Sequence, residues 1–268
     1  MRTDERRREI LRQLFLTGYV EAKQLAASLS VDASTIRRDL DALGRDGHLD
    51  RTHGGARPRP GAVDLPYAIK KEGQRLAKRA IAIAAAAPVL DGDSLILDSG
   101  STTFEVAVEL RSRANLTIVT NDLLVARTVA DYPGVHLLVT GGELLPATYT
   151  LFGEQGVALV ADLRVDWTFL GADAIDLEAG ITNTNTLEVA MKRTMLGVAR
   201  NRVVVVDSSK FGQHALVRVA EVNEVDRIVT DDGMDEDAAT PYGERLLRAP
   251  SEAAIEVATA RQGVVPMR

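Results

Sequence analysis

Apolar residues Ile10, Leu11 and Leu14 recur at helical spacing near the start of the chain and predict a first helix over residues 4–16, ending near Gly18. Val20 follows, and Leu25 and Ala26 centre a second helix over 21–29. A third begins after Asp32, whose side chain suits an N-cap. Its apolar positions Ile36, Leu40 and Leu43 fall at i, i+4 and i+7 and make one stripe for packing on the other two helices. At about 100° per residue, Ser34, Arg38 and Arg45 then lie nearly opposite that stripe, with Thr35 and Arg37 on its flanks. The two adjacent arginines therefore face away from the core.

After Gly47 the stretch HLDRTHGGARP alternates and then turns at Gly54 and Gly55, as a small β-hairpin would. Two packing helices, an outward-facing basic helix and a basic hairpin form the winged helix-turn-helix layout, in which the last helix enters the major groove and the wing lies along the backbone. Ser34, Thr35, Arg37 and Arg38 are then the groove-facing candidates, and Arg51 and His53 the wing's. A three-helix scaffold with merely solvated arginines is the plain alternative. The next segment, RPRPGAVDLP over 57–66, is a linker by composition.

From about Lys70 the pattern changes. SLILDSG, LTIVTND, VHLLVTGG, VDWTFLGAD, RVVVVDSS and VDRIVTDD are short apolar runs, each ending in a polar or glycine-containing loop. Amphipathic stretches such as TTFEVAVELRS and TLEVAMKRTMLGVA lie between them. Apolar strands separated by helices imply an α/β domain with a mainly parallel sheet covered on both faces.

A chain of 268 residues suits two domains, and 46% hydrophobic with 26% charged residues is an ordinary soluble composition. The net charge of −6 hides an asymmetry: residues 1–60 hold 12 Lys and Arg against 9 Asp and Glu, whereas the remainder holds 20 against 29. Contact with nucleic acid is thus expected of the first 60 residues, because an acidic body repels a polyphosphate. The longest apolar run, Ala80 to Leu90, is shorter than the roughly 20 residues of a membrane span and rich in alanine, so no membrane partner is expected. The N-terminus MRTDERRREI lacks the apolar core of a signal peptide, and the chain has no cysteine. Disulfides and cysteine-ligated metals are excluded, and a cytoplasmic location is the expectation.

Ligands of open α/β sheets collect at the carboxyl ends of strands. The most informative such loop is LDSGSTTFEVA, where a strand ends at Asp98 and Ser99, Gly100, Ser101, Thr102 and Thr103 lead directly into a helix. Glycine lets the backbone approach closely, hydroxyls donate, and a helix N-terminus favours an anion such as phosphate. Simple helix capping by Ser and Thr explains the same residues equally well. Other strand ends offer Asn121, Gly141 and Gly142, Asp173 and Lys210. An anion loop, an amide, a carboxylate and a lysine on one sheet edge suit a phosphorylated sugar, although Lys210 alone reads as a solvated turn lysine. Glu188 and Lys192, at i and i+4 on one helix, read as a surface ion pair. His48, His53, His136 and His214 have no metal-ligand spacing, and no GxSxG, P-loop or GxGxxG occurs, so neither metal nor cofactor is expected.

The segment ERRREILRQLFLTGYVEAKQLAASLSVDASTIRRDLDALGRDGHLDRTHGGA resembles the N-terminal domain of DeoR-family bacterial transcriptional regulators almost position for position. One departure is Asp32 where a serine is usual, and either residue can cap the helix. LDSGSTT, VTND, TGGEL, LGADAID, GITNTNTLEVAMKR and VDSSKFG follow in the order of that family's effector domain, which is similar in turn to ribose-5-phosphate isomerase. The resemblance implies a winged helix-turn-helix over 1–57, a linker over 58–74, and a ribose-5-phosphate-isomerase-like α/β domain for effector binding and oligomerisation over 75–268. It also implies that Ser99 to Thr102 match the enzyme's phosphate and sugar loop, that Asp173 matches one of its two carboxylates and Lys210 a substrate-binding lysine, and that Glu188 matches its catalytic base. Leu170, however, stands where the enzyme has a second aspartate, and AGITNTNT replaces its lysine and glycine-rich loop. Binding without catalysis is therefore expected: a repressor of carbohydrate-catabolic genes, working as a homo-oligomer, dimer or tetramer, on double-stranded operator DNA and released by a phosphorylated sugar. A sugar-phosphate isomerase with a DNA-binding arm is the alternative.

Overall fold

The computed structural model describes residues 2–17, 19–46, 48–58, 74–146 and 148–250, and the chain divides into two compact units, Met1–Gly73 and Gln74–Arg268. Most of the expected linker, 59–73, lies outside the described residues.

In the smaller unit, α1 (Thr3–Thr17), α2 (Ala22–Ser28) and α3 (Ala33–Arg45) enclose a core to which Ile10, Leu14, Leu25, Ile36, Leu40 and Leu43 contribute. The stripe read from α3 is the buried one, and Asp32 caps the helix by accepting from the Ser34 amide at 2.7 Å. Hydrogen bonding from the Ser34 side chain, and then from its amide, holds the Asp32 carboxyl below its usual pKa, with Arg37 and Arg38 adding to the effect. The wing is β2 (Leu49–Thr52) paired with β3 (Gly55–Pro58), and here the structure adds a strand. Val20, and Glu21, which was expected to start the second helix, instead form β1 and pair with β3, giving the order β1-β3-β2. The two glycines have separate reasons: Gly54 turns the hairpin at φ +87°, and a Cβ on Gly55 would collide with the Val20 carbonyl.

Behind α3, facing α1, lies a charged contact that apolar periodicity does not reveal. Asp39, 3% exposed, accepts from Arg6 Nε at 2.5 Å and Arg7 Nε at 3.1 Å. The pair sets the rotation of α3 about its own axis, since both guanidinium groups come from α1.

The larger unit runs α4 (Arg75–Ala86), β4 (Ser94–Leu97), α5 (Ser101–Glu109), β5 (Thr117–Thr120), α6 (Leu123–Val129), β6 (His136–Val139), then the hairpin β7 (Glu143–Leu145) and β8 (Thr150–Phe152). It continues through α7 (Glu154–Ala161), β9 (Val165–Leu170), β10 (Ala174–Asp176), β11 (Gly180–Asn183), α8 (Val189–Val198), β12 (Ala199–Val205), β13 (Val217–Ala220), β14 (Arg227–Asp231), α9 (Glu236–Ala239) and β15 (Leu246–Ala249). Seven strands form one wholly parallel sheet in the order β15-β14-β12-β9-β4-β5-β6. Alternate residues serve opposite faces: Leu95, Leu97, Ile118 and Phe169 pack with α4 to α6, whereas Ile96, Val119 and Leu170 pack with α8. The six apolar runs are six of these strands. The seventh, β15, and the antiparallel sheet β10-β11-β13 do not show in the pattern, because strands of three or four residues carry little periodicity.

Replacing Asp39 by Ala leaves a buried guanidinium unpaired, which typically costs about 3–5 kcal/mol. Amides of α1 and α3 should lose two or more orders of magnitude of hydrogen-exchange protection in Asp39→Ala, while those of the parallel sheet keep theirs; unchanged protection in α3 would remove the pair from its positioning role.

Candidate functional site

On the smaller unit Arg37 and Arg38 are exposed on α3, Ser34 is exposed at its amino end and Thr35 is half-buried. His53 is exposed at the wing's turn. Arg51, expected beside it on the DNA backbone, is engaged within the domain: Nε meets Asp41 of α3 at 2.8 Å and Nη1 donates to the Gly55 carbonyl at 2.6 Å. It ties the wing to α3. A basic helix face flanked by a wing fixed to that helix has the form of a duplex-binding surface.

In the larger unit, β4, β5 and β6 succeed one another toward one edge of the sheet and β9, β12, β14 and β15 toward the other. The order reverses between β4 and β9, which is where ligands bind in such sheets. At this place stands Lys192, 2% exposed, donating to the Asp98 carboxylate at the end of β4 and, at 2.9 Å, to the Gly171 carbonyl at the end of β9. The Gly171 amide in turn donates to Asp98 at 3.0 Å. Burial pulls the Lys192 pKa down, but the carboxylates of Asp98, Glu188 and Asp173 outweigh it and hold the ammonium above the ordinary lysine value. This overturns the surface-pair reading of Glu188 and Lys192: both are buried. An i, i+4 spacing alone does not say which face of the helix it occupies. Lys192 lies in the stripe of Met191, Met195 and Leu196, and that signal could have found it.

The same centre gathers most of the expected residues. Glu188 accepts from Asn183 Nδ2 at 2.9 Å, and Asp173 accepts from the Thr184 amide at 2.8 Å. Asp98 is 1% exposed, and its Oδ2 accepts from both Lys192 and the Gly171 amide, so it organises the site from below. Beyond it Gly100, at φ +150°, takes the N-cap position of α5 without supplying a side-chain cap. Ser101, Thr102 and Thr103 form a buried first turn, and Thr103 Oγ1 donates to the Gly100 carbonyl at 2.8 Å. A helix start without a side-chain cap is an anion seat. Asn121 lies one residue past the Leu97↔Thr120 register pair, and its Oδ1 is buried with no hydrogen-bond partner among the described residues. A buried carbonyl oxygen in that condition suits a ligand's donor, such as a hydroxyl. Lys210 sits half-buried on the turn after β12; Asp207 caps that turn, while the next residue, Phe211, bridges Ile175 and packs edge-on against Tyr242 at 5.2 Å.

Sequence reasoning also passed over Asp122. It caps α6 through the Leu124 and Val125 amides at 2.7 and 3.0 Å and faces Ser99 and Gly100 with its second oxygen. Its place between an apolar strand and a helix was the available signal. Among the described residues no group of three or more His, Cys, Asp or Glu could hold a metal, and no helix is long and apolar enough to cross a membrane.

Comparison with known proteins matches residues 74–232 to the DeoR C terminal sensor domain and residues 6–58 to the DeoR-like helix-turn-helix domain. A putative aga operon transcriptional repressor of Escherichia coli O157:H7 is 36% identical over 239 residues, 88% of this chain and 89% of the relative. The glycerol-3-phosphate regulon repressor of Escherichia coli K12 is 33% identical over 231 residues, 86% of this chain and 92% of the relative. A solved D-ribose-5-phosphate isomerase in complex with phospho-erythronic acid covers 52% of this chain and 54% of its own at 18% identity and a TM-score of 0.38, too distant to carry an argument.

Because the Lys192 pKa is raised in the folded chain, its contribution to stability is full below the ordinary lysine value of 10.5 and is lost as pH rises through the higher folded value. Lys192→Met should therefore lower the stability of the larger unit by about 3–5 kcal/mol near neutrality. In unfolding measurements the gap from the wild type should narrow above pH 10.5, and a constant gap would contradict the buried-ammonium assignment.

Proposed function

The chain belongs to the DeoR family of DNA-binding transcriptional regulators, and from that premise we propose that its larger unit senses a phosphorylated sugar and thereby releases the smaller unit from operator DNA. The observation that carries the sensing half is the uncapped, buried start of α5 at the reversal of the sheet, beside the unpartnered Asn121 oxygen. Ser101, Thr102 and Thr103 hold the phosphoryl group; Asn121, Asp173 and Glu188 bind hydroxyls; and Lys210 supplies positive charge. Asp98 acts through Lys192 and does not touch the ligand.

We read the unit as a sensor without turnover. A general base must have its carboxylate free to reach the proton it takes. Glu188 shares its carboxylate with Asn183, beside an ammonium held charged. Relatives named as repressors of the aga operon and of the glycerol-3-phosphate regulon support repression of carbohydrate genes as the output. One small domain grips DNA weakly, so a homo-oligomer reading repeated half-sites, in the cytoplasm, completes the proposal. Effector and DNA then oppose each other by a coupling typically of about 1–3 kcal/mol.

The test uses the purified full chain, a duplex it selects from a random pool, fixed salt and a panel of phosphorylated sugars. One member of the panel should weaken specific binding, and turnover of any member would overturn the sensor reading. Arg38→Ala should lower affinity for the selected duplex by roughly 10- to 100-fold, the range of a base contact, and leave effector binding intact. Unchanged duplex binding would take Arg38 out of the interface. Lys210→Ala should keep duplex binding and lose the response to effector.

A further inference from the structure

The anion seat is not idle in this structure. Asp122, wholly buried at the end of β5, divides its two oxygens between different neighbours. Oδ1 caps α6 firmly, at 2.7 and 3.0 Å. Oδ2 accepts from Ser99 Oγ at 3.2 Å and from the Gly100 amide at 3.4 Å, long for bonds to a carboxylate, which usually run 2.5–2.9 Å. These two donors stand immediately before α5, where an incoming phosphoryl group would also seek them. Burial pushes the Asp122 carboxyl above its usual pKa, outweighing the four donors that lower it.

The carboxylate cannot move alone, because it is fixed to the start of α6. That start is stitched to the β7–β8 hairpin through the backbone: the Leu123 amide donates to the Tyr149 carbonyl at 3.0 Å, the Leu151 amide to the Asn121 carbonyl at 2.7 Å, and Asp122 bridges Thr150. Ser99 Oγ and Thr150 Oγ1 lie 2.5 Å apart, a second tie between loop and hairpin. Tyr149, a non-glycine residue at φ +58°, carries backbone strain at the join. Tyr149 and Leu144 are also exposed, so a shift of the hairpin changes an apolar surface.

We infer that Asp122 is the internal occupant of the anion seat, that a bound phosphoryl group takes the Ser99 hydroxyl and the Gly100 amide from it, and that the displaced carboxylate moves the β7–β8 hairpin. The inference rests on the effector reading and names the group with which the effector competes. Two negative groups cannot share one set of donors without strong repulsion, so the exchange makes ligand binding and hairpin position exclusive alternatives.

Asp122→Asn preserves the cap, since Asn and Asp serve equally well there, and removes the competing charge. Calorimetric titration of the full-length variant and wild type with inorganic phosphate, and in parallel with the phosphorylated-sugar panel, should show about tenfold tighter binding by the variant. Equal or weaker binding by the variant, with the wild type still binding, overturns the exchange and leaves the effector reading standing. Binding by neither overturns both. A measurement on the wild type alone guards against a misfolded variant: saturating ligand should speed hydrogen exchange at the Leu123 and Leu151 amides, and unchanged exchange at both overturns the coupling to the hairpin.

Discussion

The buried ammonium of Lys192 is the interaction on which the site of the larger unit depends. A carboxylate as enclosed as Asp98 is tolerated only when paired, and Lys192 pairs it while also holding the Gly171 carbonyl, so one side chain fastens β4 to β9 where the sheet reverses its order. The pairing has a consequence for the neighbouring helix. After β5 the carboxylate of Asp122 caps α6, and after β12 that of Asp207 caps the following turn. After β4 the carboxylate is drawn to Lys192 instead, and the cap position of α5 falls to Gly100, which has no side chain to offer. The positive end of α5 is thereby left for another acceptor.

The smaller unit sorts its arginines in a comparable way. Arg6 and Arg7 are neutralised by Asp39 behind α3, and Arg51 by Asp41 at its side. Arg37 and Arg38 are left exposed to solvent on the same helix. A helix anchored in rotation by buried charge on one side presents its other side in one orientation, which reading base edges requires. The ion pair is worth more as an orienting device than as a source of stability, because the desolvation of Asp39 offsets much of its attraction to the guanidinium groups.

Much of this architecture is legible in the chain because it is written in near neighbours. The stripe of Ile36, Leu40 and Leu43, the cap at Asp32, the glycine turn of the wing and six apolar strands each follow from spacings of a few residues. The loop from Ser99 to Thr103 was also found this way, as a strand end running into a helix. The antiparallel sheet and β15 escaped because short strands have too few positions to show a period.

The order and type of the main elements and the outward face of the third helix thus follow from local spacing. The state of the charges follows from the fold. Lys192 meets Asp98 across 94 residues, Arg6 meets Asp39 across 33, and Ser99 meets Asp122 across 23. Local propensity acts through the few residues a side chain can reach along its own helix or strand, whereas the cost of burying a charge depends on which distant group the fold brings to it.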